Sequence, residues 1–349
     1  MTLDADHPGP FDAPFAVAER RSALFRETPA EMLERWALGS AWALKPQRIG
    51  GLPSLWGFLA ADLFNRSKKL PDPTAANAAG ICGITHDLSV STLVKAYRES
   101  LFPFAHLGPS KWFSPAERCV LFFDEVHIAK RLRPHFRKQR YRVTFDTDPE
   151  AVMKACAGRR EGKWHVTWIT PRMMHAYAAM FDAGRMHSFE VWNQAGTLVG
   201  GGYGVTVGSV FFTESQFAHE PNTSKLGFTL LNWHLQRWGF TLNDNKWPTP
   251  TTLHMGFRNI PRAEFLEHTR APDPVASRRR WRPEADLTVV ADWRPEGAKE
   301  TGSPGLVPAA SQRPAIKKSA SPASAVEAST GYSRNRRDLE TVADLKPVV

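Results

Sequence analysis

Three strand-type runs follow one another with almost no chain between them, and this constrains the fold more than any other feature of the sequence. Ser188 to Trp192, Leu198 to Val207 and Val210 to Phe217 are rich in β-branched and aromatic residues, and the connections NQAG and VGS carry the residues that tight reversals need. They read as consecutive antiparallel strands. Helices flank them. Thr170 and Pro171 supply the N-cap and first position of one helix, with Met174, Tyr177, Ala178 and Phe181 on a single face and Gly184 closing it. Asn222 is placed to cap a longer helix through Leu226, Leu230, Trp233 and Trp238, ended by Gly239, and Phe240 to Leu242 starts another strand. Helix, three antiparallel strands, helix, strand is an α+β order with a mixed, mainly antiparallel sheet.

Upstream, Asp87 stands as N-cap of an amphipathic helix through Val90, Leu93, Val94, Tyr97 and Leu101 that stops before Pro103. An aromatic segment, KWFSP (111 to 115), and an apolar strand from Cys119 to Phe123 follow, and YRVTFD from Tyr141 alternates as a strand. Pro261 opens a final short helix. This divides the chain into an N-terminal extension (1–75) with one helix around Ala30 to Ala43, a small helical N-terminal subdomain (76–140), a main domain (141–270) and a basic Pro/Ser-rich tail (271–349), the last expected to be largely disordered.

The formal net charge is +10, of which the segment from Pro272 onward supplies +3, from 13 Lys+Arg against 10 Asp+Glu, so the globular part is itself basic. Between Lys130 and Arg142, seven residues are Lys or Arg and none is acidic. Such a run is either a solvated basic face or a footprint for a phosphate backbone. Cys82, Cys119 and Cys156 are odd in number and form no C-x-x-C pair, which suits a reducing cytoplasm. The longest apolar stretch, Gly51 to Phe64, contains Pro53 and Asp62 and falls short of the ~20 residues that span a bilayer, so no membrane partner is expected.

The 12 histidines form no H-E-x-x-H or similar pair, and no metal site is expected. There is no G-x-S-x-G for covalent acyl transfer. The glycine cluster Gly200-Gly201-Gly202-Tyr203-Gly204 sits inside a strand pattern with no helix opening after it, so it lacks the helix N-terminus of a phosphate loop. This argues against a CoA-dependent acetyltransferase. Its readings are a close backbone approach in the sheet, or space opened above the strand for a bound group.

The blocks GITHDLSVSTLVKAYRESLFPF (83 to 104), KWFSP (111 to 115), DEVHIAKRLR (124 to 133), TWITPRMMHAY (167 to 177), HSFEVWNQAGTLVGGGYGV (187 to 205) and FFTESQF (211 to 217) resemble, in order, the signature blocks of leucyl/phenylalanyl-tRNA-protein transferases. The resemblance implies a GNAT-like acyltransferase domain, no cofactor, and two partners, an aminoacyl-tRNA and the N-terminus of an acceptor protein. A role in N-end-rule degradation goes with that activity, and a monomer is expected. Carried over to this chain, it makes Glu214 the site glutamate that accepts hydrogen bonds from a substrate ammonium. Gly202, Phe211 and Phe217 become the donor pocket, and Trp112 and Trp168 become stacking partners for the terminal adenine. Read from charge alone, Lys130, Arg131, Arg133, Arg137, Lys138 and Arg140 of the basic run are the candidate tRNA contacts. An α-amine with a pKa near 8 needs little help from a base, so positioning and charge stabilisation are the main tasks.

The chain departs from the family at one corner. The family's Asp-Cys-Gln is Asp244-Asn245-Lys246 here, and Gly202 replaces a bulky pocket residue. With Asp244, Lys246 and Glu214 as the catalytic candidates, Lys246 is open to three readings. It is a desolvated base or carbonyl polariser, a charged anchor for a phosphate or acidic acceptor, or the mark of a silent site. The other class of function is a catalytically silent tRNA- or RNA-binding relative.

Overall fold

A computed structural model describes residues 14–44, 52–64, 69–77, 80–104, 109–159, 165–274 and 280–295. The centre is a seven-stranded sheet. Its strands are β4 (Glu117–Phe122), β5 (Arg142–Phe145), β6 (Met186–Trp192), β7 (Leu198–Val207), β8 (Val210–Ala218), β9 (Leu242–Asp244) and β10 (Arg258–Pro261), in the order β10-β4-β9-β8-β7-β6-β5. Every neighbouring pair is antiparallel except β8 and β9. The parallel pair follows from connectivity: helix α8 (Thr223–Arg237) lies between the two strands and carries the chain back across the sheet. A smaller antiparallel sheet, in the order β1-β3-β2, joins β1 (Ile81–Ile84), β2 (Phe102–Phe104) and β3 (Lys111–Phe113).

The large sheet is the middle layer of three. Against one face pack α4 (Val90–Arg98), α6 (Pro149–Ala157), α7 (Pro171–Asp182) and α10 (Arg262–Arg270), through Leu93, Tyr97, Met153, Tyr177 and Phe265. Against the other packs α8, through Leu226, Leu230, Leu231 and Leu235. The glycine cluster explains how α8 comes so close. A Cβ on Gly200 would stand 2.5 Å from the Thr223 hydroxyl, and one on Gly202 would stand 2.7 Å from both the Phe189 ring and the Gln216 side chain. The expectation that Gly202 opens a pocket is therefore corrected: its missing side chain is filled by its neighbours.

Three further expectations change. The boundary at 140/141 runs through the sheet, because β4 sits between β10 and β9 near the opposite edge from β5. The helix expected to be capped by Asp87 is capped by Ser89, with Asp87 accepting from the Ser89 N–H and the Thr92 hydroxyl. The tail expected from 271 is folded at 280–295: Trp281 is 1% exposed and Leu287, Val290 and Ala291 are buried against the α8 face. The parts of the tail at 275–279 and 296–349, residues 1–13 and residues 160–164 lie outside the described residues. The N-terminal extension also docks: α1 (Pro14–Leu24) places Arg21 against Glu150 and Asp182, and Phe25 is buried with its ring edge-on to His175. Among the described residues no helix is long and apolar enough to cross a membrane.

One strand buries a carboxyl group. Glu190 in β6 is fully buried and accepts from the Ser188 and Thr144 hydroxyls at 2.6 and 2.7 Å, yet burial pushes its pKa up to about 7. The native protein holds a proton that the unfolded chain releases near pH 4.5. Its contribution to stability is therefore complete below about pH 4.5 and lost as pH rises through about 7. At about 1.4 kcal/mol per unit the loss is roughly 3 kcal/mol. Urea titrations at about pH 5 and pH 8 should show this decline in the wild type and a flatter profile in Glu190→Gln; identical profiles would assign the titration elsewhere.

Candidate functional site

Strand β8 contains a bulge. Between Tyr203 and Gly204 of β7 the pairing slips from Ser215 to Thr213, leaving Glu214 as the extra residue. Before the bulge, Phe212 faces the α4/α7 layer and Phe211 faces α8; after it, Phe217 faces the α4/α7 layer. Phe211 and Phe217 are six residues apart and would share a face in a regular strand. The bulge separates them. Phe211, 1% exposed, packs beside Trp281 on the far side of the sheet from Glu214, which corrects its expected place in a pocket shared with Phe217.

The bulged residue anchors a buried polar cluster. Glu214 Oε1 accepts from the Tyr97 hydroxyl at 2.8 Å and from Lys246 Nζ at 2.7 Å, and Oε2 accepts from the Tyr177 hydroxyl at 3.1 Å. The two phenols also meet each other at 2.8 Å, so their two protons serve three contacts. Burial, and then the Glu214 charge, hold both phenols well above the usual tyrosine range, and they stay neutral donors. Lys246 Nζ also donates to the Thr213 carbonyl at 2.5 Å and lies 5.9 Å from the Phe102 ring centre.

Lys246 reaches this point because its backbone is held at φ 60°, a region that disfavours side-chain-bearing residues. Its neighbours hold it there. The Lys246 N–H donates to Asp244 Oδ1, and the Cys119 N–H donates to the Lys246 carbonyl. Asp244 is itself fully buried, and Arg118 grips it twice, Nε to Oδ1 at 3.0 Å and Nη2 to Oδ2 at 2.6 Å. Arg118 donates further to the Ser100 carbonyl and hydroxyl, and its guanidinium stacks 4.4 Å from the Phe265 ring centre. Asp244, expected to act on the reacting atoms, is thus placed as the support of the Lys246 turn.

The remaining expected site residues divide. Trp168 is 6% exposed and stands with Phe104 and Tyr177 at the edge of the cluster. Trp112 is 0% exposed, so neither face of its ring is open to stack on an adenine; it fills the core as the middle residue of the central strand β3. Its indole N–H and the Tyr203 hydroxyl are buried without a hydrogen-bond partner among the described residues. The basic run lies on the other side of the sheet, its Leu132 and Phe136 buried in the α8-side core. Lys130, Arg131, Lys138 and Arg140 are exposed there. Arg133, by contrast, donates to the Ala291 and Trp293 carbonyls, and Arg137 pairs with Asp292 at 2.6 Å, so the chain's own 280–295 segment engages both.

Arg118, Ser100 and the roles of Tyr97 and Tyr177 escaped the sequence reading. Tyr97 and Tyr177 were legible only as core-face residues of helices, although a buried phenol needs a hydrogen-bond partner and so points to one. An arginine at the head of the apolar run Cys119–Phe123 carried the matching signal for a buried acid.

Comparison with known proteins decides the family. The leucyl/phenylalanyl-tRNA protein transferase sequence profile matches residues 120–270, which take in Glu214, Asp244 and Lys246. A protein of that name from Azotobacter vinelandii is 46% identical over 215 residues, covering 61% of this chain and 89% of the relative. The chain belongs to the leucyl/phenylalanyl-tRNA protein transferase family. Two further transferases of that name agree, from Ectopseudomonas mendocina (43% identical, covering 62% of this chain and 92% of the relative) and Alkalilimnicola ehrlichii (37%, covering 68% and 95%). As a family member, the chain is an aminoacyltransferase. The 280–295 segment lies beyond the family-matched residues. No group of three or more His, Cys, Asp or Glu among the described residues is arranged to hold a metal ion.

Proposed function

We propose that this family member transfers a leucyl- or phenylalanyl-like group from an aminoacyl-tRNA to the α-amine of an acceptor protein, in a cytoplasmic N-end-rule pathway and with altered specificity. The observation that supports this is the Glu214 cluster, a carboxylate kept at 5% exposure by two neutral phenols and an ammonium beside an aromatic wall. The tRNA ester already carries an activated acyl group, so the protein must hold two substrates and stabilise charge as the amine nitrogen attacks the ester carbonyl. Glu214 accepts an N–H from the neutral substrate amine, the Tyr97 and Tyr177 hydroxyls orient that carboxylate, Lys246 balances its charge, and Phe217 and Trp168 border the acyl group. The GNAT-like description of the domain belongs to this reading; it agrees with the helix-flanked mixed sheet. The exposed Lys130, Arg131, Lys138 and Arg140 supply counterion-release affinity for the body of the tRNA.

Glu214→Ala should reduce transfer from charged tRNA to peptide amines on the order of 100-fold or more, the scale of losing an electrostatic group at a reacting centre. Radiolabelled leucine and phenylalanine counted on acid-precipitated acceptor would show it. Charged tRNA that binds the wild type while no peptide is labelled would instead favour a silent RNA-binding relative.

A further inference from the structure

The Glu214 carboxylate is already occupied by an ammonium from the protein itself. Lys246 Nζ sits 2.7 Å away, with side-chain exposures of 8% for Lys246 and 2% for Glu214, and the adjacent Arg118–Asp244 pair is closed at 0% on both sides. These two cations and two anions compensate one another. The clusters are joined through the Lys246 N–H and Asp244 Oδ1, and both cations lie over the same Phe102 ring, at 5.0 and 5.9 Å from its centre. A third cation brought into this cluster would meet two buried positive charges and no uncompensated carboxylate among the residues that compose it. Like charges in so dry a place repel strongly, and a cationic substrate group would also have to displace Lys246 from Glu214.

We propose that Lys246 is a specificity-determining residue that makes the acceptor subsite select an N-terminal residue with an uncharged side chain and reject arginine and lysine. The inference rests on the aminoacyl-transfer reading above. Geometry links the two: the first residue's side chain springs from the carbon that bears the attacking amine, so a transferring amine brings that side chain to the same cluster. An acidic side chain gains nothing either, because Glu214 already holds the lysine and repels a second carboxylate. Specificity then arises largely from repulsion built into the site.

The test compares two peptides that differ only in charge, one beginning with arginine and the other with citrulline, its uncharged near-isostere. Each is assayed for transfer of leucine from charged tRNA by the full chain. The ratio of kcat/KM for arginine over citrulline is expected at or below one in the wild type. In Lys246→Gln, which leaves Glu214 uncompensated, it should rise by about tenfold or more, well inside the several kcal/mol that like-charge contacts cost. Lys246→Arg, which keeps the cation, should retain the wild-type ratio. A wild-type ratio clearly above one overturns the assignment and leaves the transferase reading standing, as does an unchanged ratio in folded Lys246→Gln. The wild-type and Lys246→Arg ratios decide the matter even where Lys246→Gln does not fold. Failure of the wild type to label either peptide, with charged tRNA bound, overturns the transferase reading and this assignment together.

Discussion

Replacing Arg118 by methionine should lower the free energy of unfolding by about 3–5 kcal/mol, the usual cost of removing one partner of a buried ion pair. The pair is as buried as a pair can be: both side chains are 0% exposed and two hydrogen bonds join them. Methionine fills much of the same volume and leaves the Phe102 and Phe265 rings packed, so the loss reports on the stranded Asp244 carboxylate. That carboxylate also holds the Lys246 turn through the backbone N–H, so transfer activity should fall with it. The double variant Arg118→Met with Asp244→Leu removes both charges and should recover much of the stability, because apolar replacements of whole buried pairs are often neutral. It should not recover transfer, since the turn at φ 60° has lost an acceptor that holds it. Urea denaturation of the three proteins measures the first effect and labelled transfer the second. A single variant within 1 kcal/mol of the wild type would mean that Asp244 finds another partner or a proton at little cost.

Trp281→Ala should cost a comparable 3–5 kcal/mol, the range for truncating a large buried aromatic. Trp281 stacks flat on His187, with ring centres 3.6 Å apart and planes within 7°. It also touches Phe211, Trp238 and Phe240, and its backbone N–H donates to Asp146 Oδ2 at 2.8 Å, the same oxygen that holds His187. Leu287, Val290 and Ala291 are buried beyond it, and the polar contacts of the segment are weaker. Arg280 lies over Phe181, Trp238 Nε1 donates to Glu284, and the Arg137–Asp292 pair is exposed and therefore worth little. Loss of the indole should release residues 280–295 to proteolysis and faster hydrogen exchange, free Arg133 and Arg137, and strengthen non-specific RNA binding with a steeper salt dependence. Unchanged exchange in 280–295 would place the anchor of the segment elsewhere; unchanged RNA affinity after its release would remove the basic run from the RNA surface.

What the sequence determined by itself is the set of elements and their local order. The three strands from 186 to 218, the helices at 171–182 and 223–237 and the glycines at 184 and 239 that close them were legible, because hydrophobic period, caps and positive-φ positions are local properties of a few neighbouring residues. Family membership was legible too, since collinear blocks need no coordinates. Glu214 stood out as an acid in an apolar strand, and Lys246 as a departure within a known pattern. What those residues do to each other was decided in three dimensions. A one-residue bulge, invisible to alternation, turned Glu214 toward Tyr97 and Tyr177 and moved Phe211 to the opposite face from Phe217. The partner of Asp244 lies 126 residues away in β4, and that of Glu214 lies 32 residues away beyond a helix. Gly202 suggested space and is instead filled by Phe189 and Gln216, and a basic Pro/Ser-rich tail that reads as largely disordered from residue 271 sends Trp281 into the core. Buried charges and close packing depend on which distant side chains the sheet brings within about 3 Å, and local sequence carries no record of that distance.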